Sequence, residues 1–237
     1  DVAPSRGLGD VYKRQRLFKP HELPGTLICV EGIDGSGKST QLAILRDWLK
    51  SKNLDVIFTE WNSSDLISQT TKKAKKKNLL SPRTFSLLHA VDFADRLEQI
   101  IIPAMKAGFI VLADRYVYTA FARDVARGVD RDWVRNMYGF AIKPDLALYY
   151  SIPAEVSLER ICANRAPSFY EAGMDLKLSN NPYKSYVIFQ SRVNEEYADM
   201  VNEFGLVRID ANNTIHSKQV LLRQYVTELL SKKGIQI

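Results

Sequence analysis

Gly32, Gly37, Lys38 and Ser39 stand in the order Gly-x4-Gly-Lys-Ser, with Gly35 inside the interval. A loop that wraps a phosphate needs this spacing. Glycines let the backbone curl until several amides point at one anion, and a lysine behind them can reach its outer oxygens. Ser39 adds a hydroxyl suited to Mg2+. Asp34 and Ser36 lie in the same turn and Thr40 follows it, so residues 32–40 are candidates for binding a nucleoside triphosphate such as ATP. Farther along, Asp114 and Arg115 close an apolar run. A carboxylate there can hold Mg2+ together with Ser39, and the adjacent guanidinium can grip a second phosphate by a forked contact. The same pair also reads as a strand-end cap beside a surface arginine.

Short apolar runs and helical patterns must position these groups. Strands are expected at 26–31, 55–60, 109–114, 146–152 and 206–209. Each is rich in Val, Ile, Leu, Phe or Tyr and bounded by polar or turn residues. Helical stretches lie near 38–52, 64–77, 82–107, 117–127, 131–140, 154–164, 183–203 and 216–232. Continuous apolar strands alternating with helices predict a single doubly wound α/β domain, with a five-stranded parallel sheet and ligands at the carboxyl ends of its strands. The polar stretch 164–182 predicts a small mobile lid. Residues 1–22 show no hydrophobic period and are expected to be a non-native or disordered extension, with the domain occupying 23–237.

The chain has 237 residues, 46% hydrophobic and 25% charged, with a net charge of +6. That suits one sizeable soluble core. No apolar stretch approaches the length of a membrane span, no export signal is evident, and two distant cysteines, Cys29 and Cys162, fit a reducing cytoplasm. The lysine run at 72–77 reads first as a solvated helix face and second as an anion-steering surface. It lacks interleaved aromatics, so nucleic acid is not expected as a partner.

Other candidates are less specific. Asp92 and Arg96 share a helix face four residues apart, which favours an intrahelical ion pair, although Arg96 could also enter an acceptor pocket. Phe93 taken alone reads as core. Arg160 and Arg165 flank the start of the lid, where a basic side chain could offset charge during transfer or simply face solvent.

Taken together, these residues resemble the thymidylate kinase family of P-loop nucleoside monophosphate kinases. The likeness rests on 27–41, 94–98, 114–116, 144–148 and 153–160, and on Phe189, Arg192, Val193, Glu196 and Tyr197, and it runs from about Leu23 to Leu230. It implies ATP and Mg2+ as cofactors, a nucleoside monophosphate as substrate, most simply dTMP converted to dTDP, and a homodimer. Residue by residue, it implies that Lys38, Ser39 and Thr40 serve the donor phosphates, Asp34 approaches both nucleotides, Asp114 and Arg115 form the family's Asp-Arg pair, and Arg96 reaches the acceptor. Gly35 stands where some members carry a basic residue, so Arg165 becomes the candidate for a catalytic lid arginine.

The departures cluster around the acceptor base. The family's phenylalanine four residues before the helix arginine is here Asp92. Phe93, one residue later, lies about 100° around the helix. A Tyr/Gln pair has become Arg123 and Asp124, and of the Arg-Glu-Pro-Gly-Gly turn only Glu60 survives, followed by Trp61. Glu60, Asp92, Phe93, Arg96, Arg115, Arg123 and Asp124 are therefore the acceptor candidates. The Asp92, Arg123 and Asp124 set could also read a base unlike thymine. Two alternatives stay open: a P-loop kinase of another nucleotide, nucleoside or small phosphate acceptor, and a non-catalytic nucleotide-dependent switch.

Overall fold

The computed structural model describes Phe18, residues 20–78 and residues 80–237. Most of the expected extension, residues 1–17 and 19, lies outside the described residues. Phe18 itself packs in the core against Tyr118, Phe121 and Phe204.

Five parallel strands form one sheet in the order β2-β3-β1-β4-β5. They are β1 (Thr26–Glu31), β2 (Val56–Glu60), β3 (Ile110–Asp114), β4 (Leu146–Ser151) and β5 (Val207–Asp210). Every residue of β1 and β3 is buried. This is the expected doubly wound α/β architecture, and the continuous apolar runs of β1 and β3 reflect burial on both faces. The chain leaves β1 toward β2 on one flank and later crosses to β4 on the other. The carboxyl ends of β1 and β3 therefore lie where the winding reverses, the usual place for a ligand.

Helix α1 (Lys38–Ser51) follows the glycine turn and buries Leu42, Leu45 and Leu49 against the sheet. Helix α2 (Ser68–Lys76) carries the lysine run and buries only Thr71 completely. Helix α3 (Pro82–Arg96) starts at Ser81, whose hydroxyl accepts from the Thr84 amide, with Pro82 preset for the first turn. It passes through a π turn, Leu97–Ile101, into α4 (Ile102–Lys106). Pro103 lacks the amide a regular helix would use there, and the wider turn accommodates it.

Helices α5 (Val117–Ala126), α6 (Arg131–Met137) and α7 (Ala154–Cys162) precede the lid. Helices α8 (Pro182–Phe204) and α9 (Ile215–Lys232) follow it. The lid is held in place at several points. Arg127 donates to the Tyr170 carbonyl at 2.7 Å and to Asp175 at 3.1 Å, and Gln190 donates to the Glu171 carbonyl at 2.7 Å. Gly173, at φ 61°, lies so close to Phe189 that an added Cβ would sit 2.7 Å from its ring. Among the described residues no helix is long and apolar enough to cross a membrane.

Candidate active site

The glycine turn links the end of β1 to the start of α1. Gly32, Gly35 and Gly37 have φ of 136°, 72° and 84°, values that side-chain-bearing residues rarely adopt. A Cβ on Gly32 would lie 2.6 Å from the Tyr150 carbonyl oxygen, and one on Gly35 2.8 Å from that of Ser157. The pattern found in sequence therefore answers two demands, left-handed backbone and close approach of neighbouring strands and helices.

Lys38 folds back over this turn. Its Nζ donates to the Ile33 carbonyl at 2.8 Å and to Ser36 Oγ at 3.2 Å. Burial lowers its pKa from 10.5 to about 7, Arg115 pushes in the same direction, and Asp114 and Asp34 oppose the shift. Ser39 Oγ donates to Asp114 Oδ2 at 2.5 Å, joining the start of α1 to the end of β3. Lys38, Ser39, Glu60 and Asp114 line one cleft together with Asp34, Trp61 and Arg115.

Arg115 has φ 75°, a left-handed conformation that is strained for a side-chain-bearing residue. Its surroundings hold it there. Its amide donates to the Val30 carbonyl at 3.0 Å, and its guanidinium donates to the Gly32 carbonyl at 2.9 Å and to Asp34 Oδ1 at 2.6 Å. The next residues are anchored by Glu31, a buried carboxylate accepting from the Tyr116 amide, the Thr119 hydroxyl and the Tyr197 hydroxyl at 2.6, 2.7 and 2.8 Å. Burial raises the pKa of Glu31 despite these donors. Arg123 donates to the second oxygen of Asp34. Asp34 is desolvated, yet Arg123 and Arg115 outweigh that effect and hold its carboxyl well below the usual carboxylate range.

A second, larger cavity of about 470 Å³ shares Asp34, Trp61 and Arg115 with the first cleft. Arg123, Lys75 and Arg127 give part of it a basic lining, and Trp61, Phe85, His89, Phe169 and Tyr170 give the rest an aromatic one. Burial lowers the Lys75 pKa to about 8, with Arg123 and Arg127 adding to the shift. The lysine run is thus only partly a solvated face, because Lys75 and Lys76 line this cavity.

Residues 32–40, Asp114, Arg115 and Arg123 come together at the junction of the two spaces, whereas the acceptor candidates Asp92, Phe93, Arg96 and Asp124 lie behind it. Phe93 is completely buried and packs on Trp61, Tyr116, Tyr138 and Phe140. Asp92 accepts from the Asn62 and Ser64 amides at 3.0 and 2.9 Å and lies 3.5 Å from Arg96, so the intrahelical pair does form. Arg96 is fully buried behind Trp61, with its guanidinium 5.8 Å from the indole and its Nε donating to Thr59 at 3.0 Å. Its two terminal nitrogens have no hydrogen-bond partner among the described residues. Asp124 is buried against Ser86 and His89. Arg165 is half exposed and forks onto Glu171 with two contacts of 2.7 Å, and Arg160 turns to the Ala211 carbonyl. Glu60 lies in the cleft with Lys38 and Asp114.

Lys75 belongs to the lysine run whose second reading was an anion-steering surface, and Tyr170 to the aromatic lid segment 169–171, whereas Trp61, Phe85, His89 and Arg127 were not singled out by sequence reasoning. For Trp61 the signal was its position directly after Glu60. The others gave none, since each is ordinary in its own segment and becomes a wall residue only on folding.

The family model for "Thymidylate kinase" matches residues 30–220. "Probable thymidylate kinase 2" of Saccharolobus solfataricus is 46% identical over 208 residues, covering 87% of this chain and 97% of that protein. "Probable thymidylate kinase" of Pyrococcus horikoshii is 32% identical over 208 residues, covering 84% and 95%. "Thymidylate kinase" of Desulfotalea psychrophila is 37% identical over 143 residues, covering 60% and 71%. The match takes in the glycine turn, the Asp114–Arg115 corner and the lid alike, and the chain belongs to the thymidylate kinase family.

Proposed function

We propose that the protein transfers the γ-phosphoryl group of ATP to the phosphate of a deoxynucleoside monophosphate, with dTMP as the acceptor that the family favours. One observation carries this reading. Two cavities meet at Asp34 and Arg115, one beside the glycine turn and one lined by basic and aromatic side chains. A donor and an acceptor held there would have their reacting phosphates side by side, which is most of what phosphoryl transfer asks of a protein.

In this mechanism residues 32–40 cradle the donor phosphates and Lys38 offsets charge on the transferring group. Arg115 and Arg123 hold the acceptor phosphate. An acceptor oxygen forms a bond to the γ-phosphorus as the bond from that phosphorus to the β–γ bridging oxygen breaks, and ADP leaves with the electron pair. Ser39 and Asp114 present hard oxygen ligands beside one another in the donor cleft, a set that suits Mg2+, whose charge would stabilise the donor oxygens. The lid excludes water from the junction, and Arg165 can serve it only by releasing Glu171.

Two chains pair through α3, where Leu87 and Val91 lie one turn apart at 46% and 41% exposure. Free thiols at Cys29 and Cys162 agree with residence in the cytoplasm. The deciding assay follows ADP release with dTMP, dUMP, dCMP, dGMP and dAMP in turn. Turnover of at least one, with dTMP foremost, is expected; inactivity with all five defeats the reading.

A further inference from the structure

His89 sits on α3 in the wall of the larger cavity, between Trp61 and Phe85, with ring centroids 5.4 and 4.3 Å away. Its Nδ1 faces Asp124 Oδ1 at 3.4 Å, and neither atom has a hydrogen bond elsewhere among the described residues. The other carboxylate oxygen of Asp124 is taken by the Ser86 hydroxyl at 2.7 Å. A carboxylate beside one imidazole nitrogen draws the proton to that nitrogen and leaves the other with a lone pair. Burial, the leading influence on this group, pushes the imidazole below its ordinary pKa against the opposing pull of Asp124, and so favours the neutral form. Nε2 makes no hydrogen bond with any described residue, and it is the nitrogen left for the cavity.

An aromatic enclosure with a single fixed acceptor is suited to a planar ring that offers an N–H at its edge. Thymine and uracil carry such a group at N3, between two carbonyls. Cytosine carries a lone pair at the same place, which would face the lone pair of Nε2. We propose that His89 reads the acceptor's base, its Nε2 accepting a hydrogen bond from a protonated ring nitrogen, with Asp124 as the positioning residue that fixes the tautomer. This assignment rests on the phosphotransfer reading above and specifies how that site selects a thymine- or uracil-type base.

Ser86 makes the idea testable through an isosteric change. In Asp124→Asn the Ser86 hydroxyl can keep the amide oxygen, which turns the amide NH2 toward His89 Nδ1. The proton then moves to Nε2, and the site offers a donor where it offered an acceptor.

The experiment measures kcat/KM for dTMP, dCMP and N3-methyl-dTMP with the native chain, His89→Ala and Asp124→Asn, alongside thermal melts. The native chain should prefer dTMP over N3-methyl-dTMP by about 10- to 100-fold, the penalty typical of a lost hydrogen bond at a buried site. That preference should collapse toward unity in His89→Ala. Asp124→Asn should lower the dTMP-to-dCMP ratio by about tenfold or more, a change that a purely structural role would not produce. Equal use of dTMP and N3-methyl-dTMP by the native chain overturns the assignment of His89 but leaves phosphotransfer standing. So does a preference that survives undiminished in His89→Ala, or an unmoved ratio in Asp124→Asn. Absence of turnover with every nucleotide overturns phosphotransfer, and the role of His89 with it.

Discussion

Lys38 is held over the glycine turn in a form close to losing its proton, because burial lowers its pKa to about 7. At pH 8 it is therefore mostly neutral before ATP arrives. A polyanion beside it favours the ammonium form, so ATP binding at that pH should take up most of one proton. Calorimetry in buffers of differing ionisation enthalpy measures this uptake. Lys38→Met should abolish it and lower kcat by about 100-fold or more, in the range known for losing one charge-stabilising donor. The same group shapes stability. The unfolded lysine keeps its proton up to about 10.5, so its contribution makes folding more favourable as pH rises from 7 toward 10.5. Lys38 and its glycines were legible in the sequence because their chemistry depends on neighbours a few residues apart. His89 was not, because its proton is placed by Asp124, which the fold alone brings to it from 35 residues away.

The loop after β2 shows what an element can conceal from sequence reading. Asp92, at the position where the family carries an aromatic, accepts from two amides of the loop bearing Trp61 and pairs with buried Arg96. The helix turns Asp92 to the loop's amides, and the loop supplies Trp61 to the cavity wall. Asp92→Ala should destabilise the fold by about 3 kcal/mol, because it leaves the Arg96 charge and two amides without their acceptor. Asp92→Asn should fall between, since its amide oxygen can still serve one of the two donors. Urea denaturation measures both, and each variant should raise the acceptor KM by loosening Trp61. The strands were legible because unbroken apolar runs have few alternatives. Helix α2 starts at Ser68, four residues beyond the expected start at 64. The π turn at Leu97–Ile101 went unseen within a stretch that reads as one helix, since its cause, Pro103, lies beyond it.

At the scale of the molecule, the proposed pairing through α3 places the contact on the helix that also carries His89. Leu87→Glu combined with Val91→Lys should convert a dimer into a monomer by light scattering after size-exclusion chromatography, with the melting temperature shifted by only a few degrees. A mass unchanged from the parent protein would remove α3 from the interface. The five-stranded parallel sheet and its flanking helices followed from the alternation of strand and helix, whereas the aromatic lining of the larger cavity did not, because α3, the lid and the loop after β2 each supply part of it. The bridge from Asp34 to Arg115 and Arg123 has a consequence for which molecules can enter. Two guanidiniums aimed at one spot would otherwise capture any passing anion, but here a resident carboxylate already occupies them. A newcomer must compete with it, and a phosphate monoester with two negative charges is better placed to do so than a carboxylic acid or a singly charged diester. The loop thus acts as its own sentry, screening visitors by charge before their shape is tested.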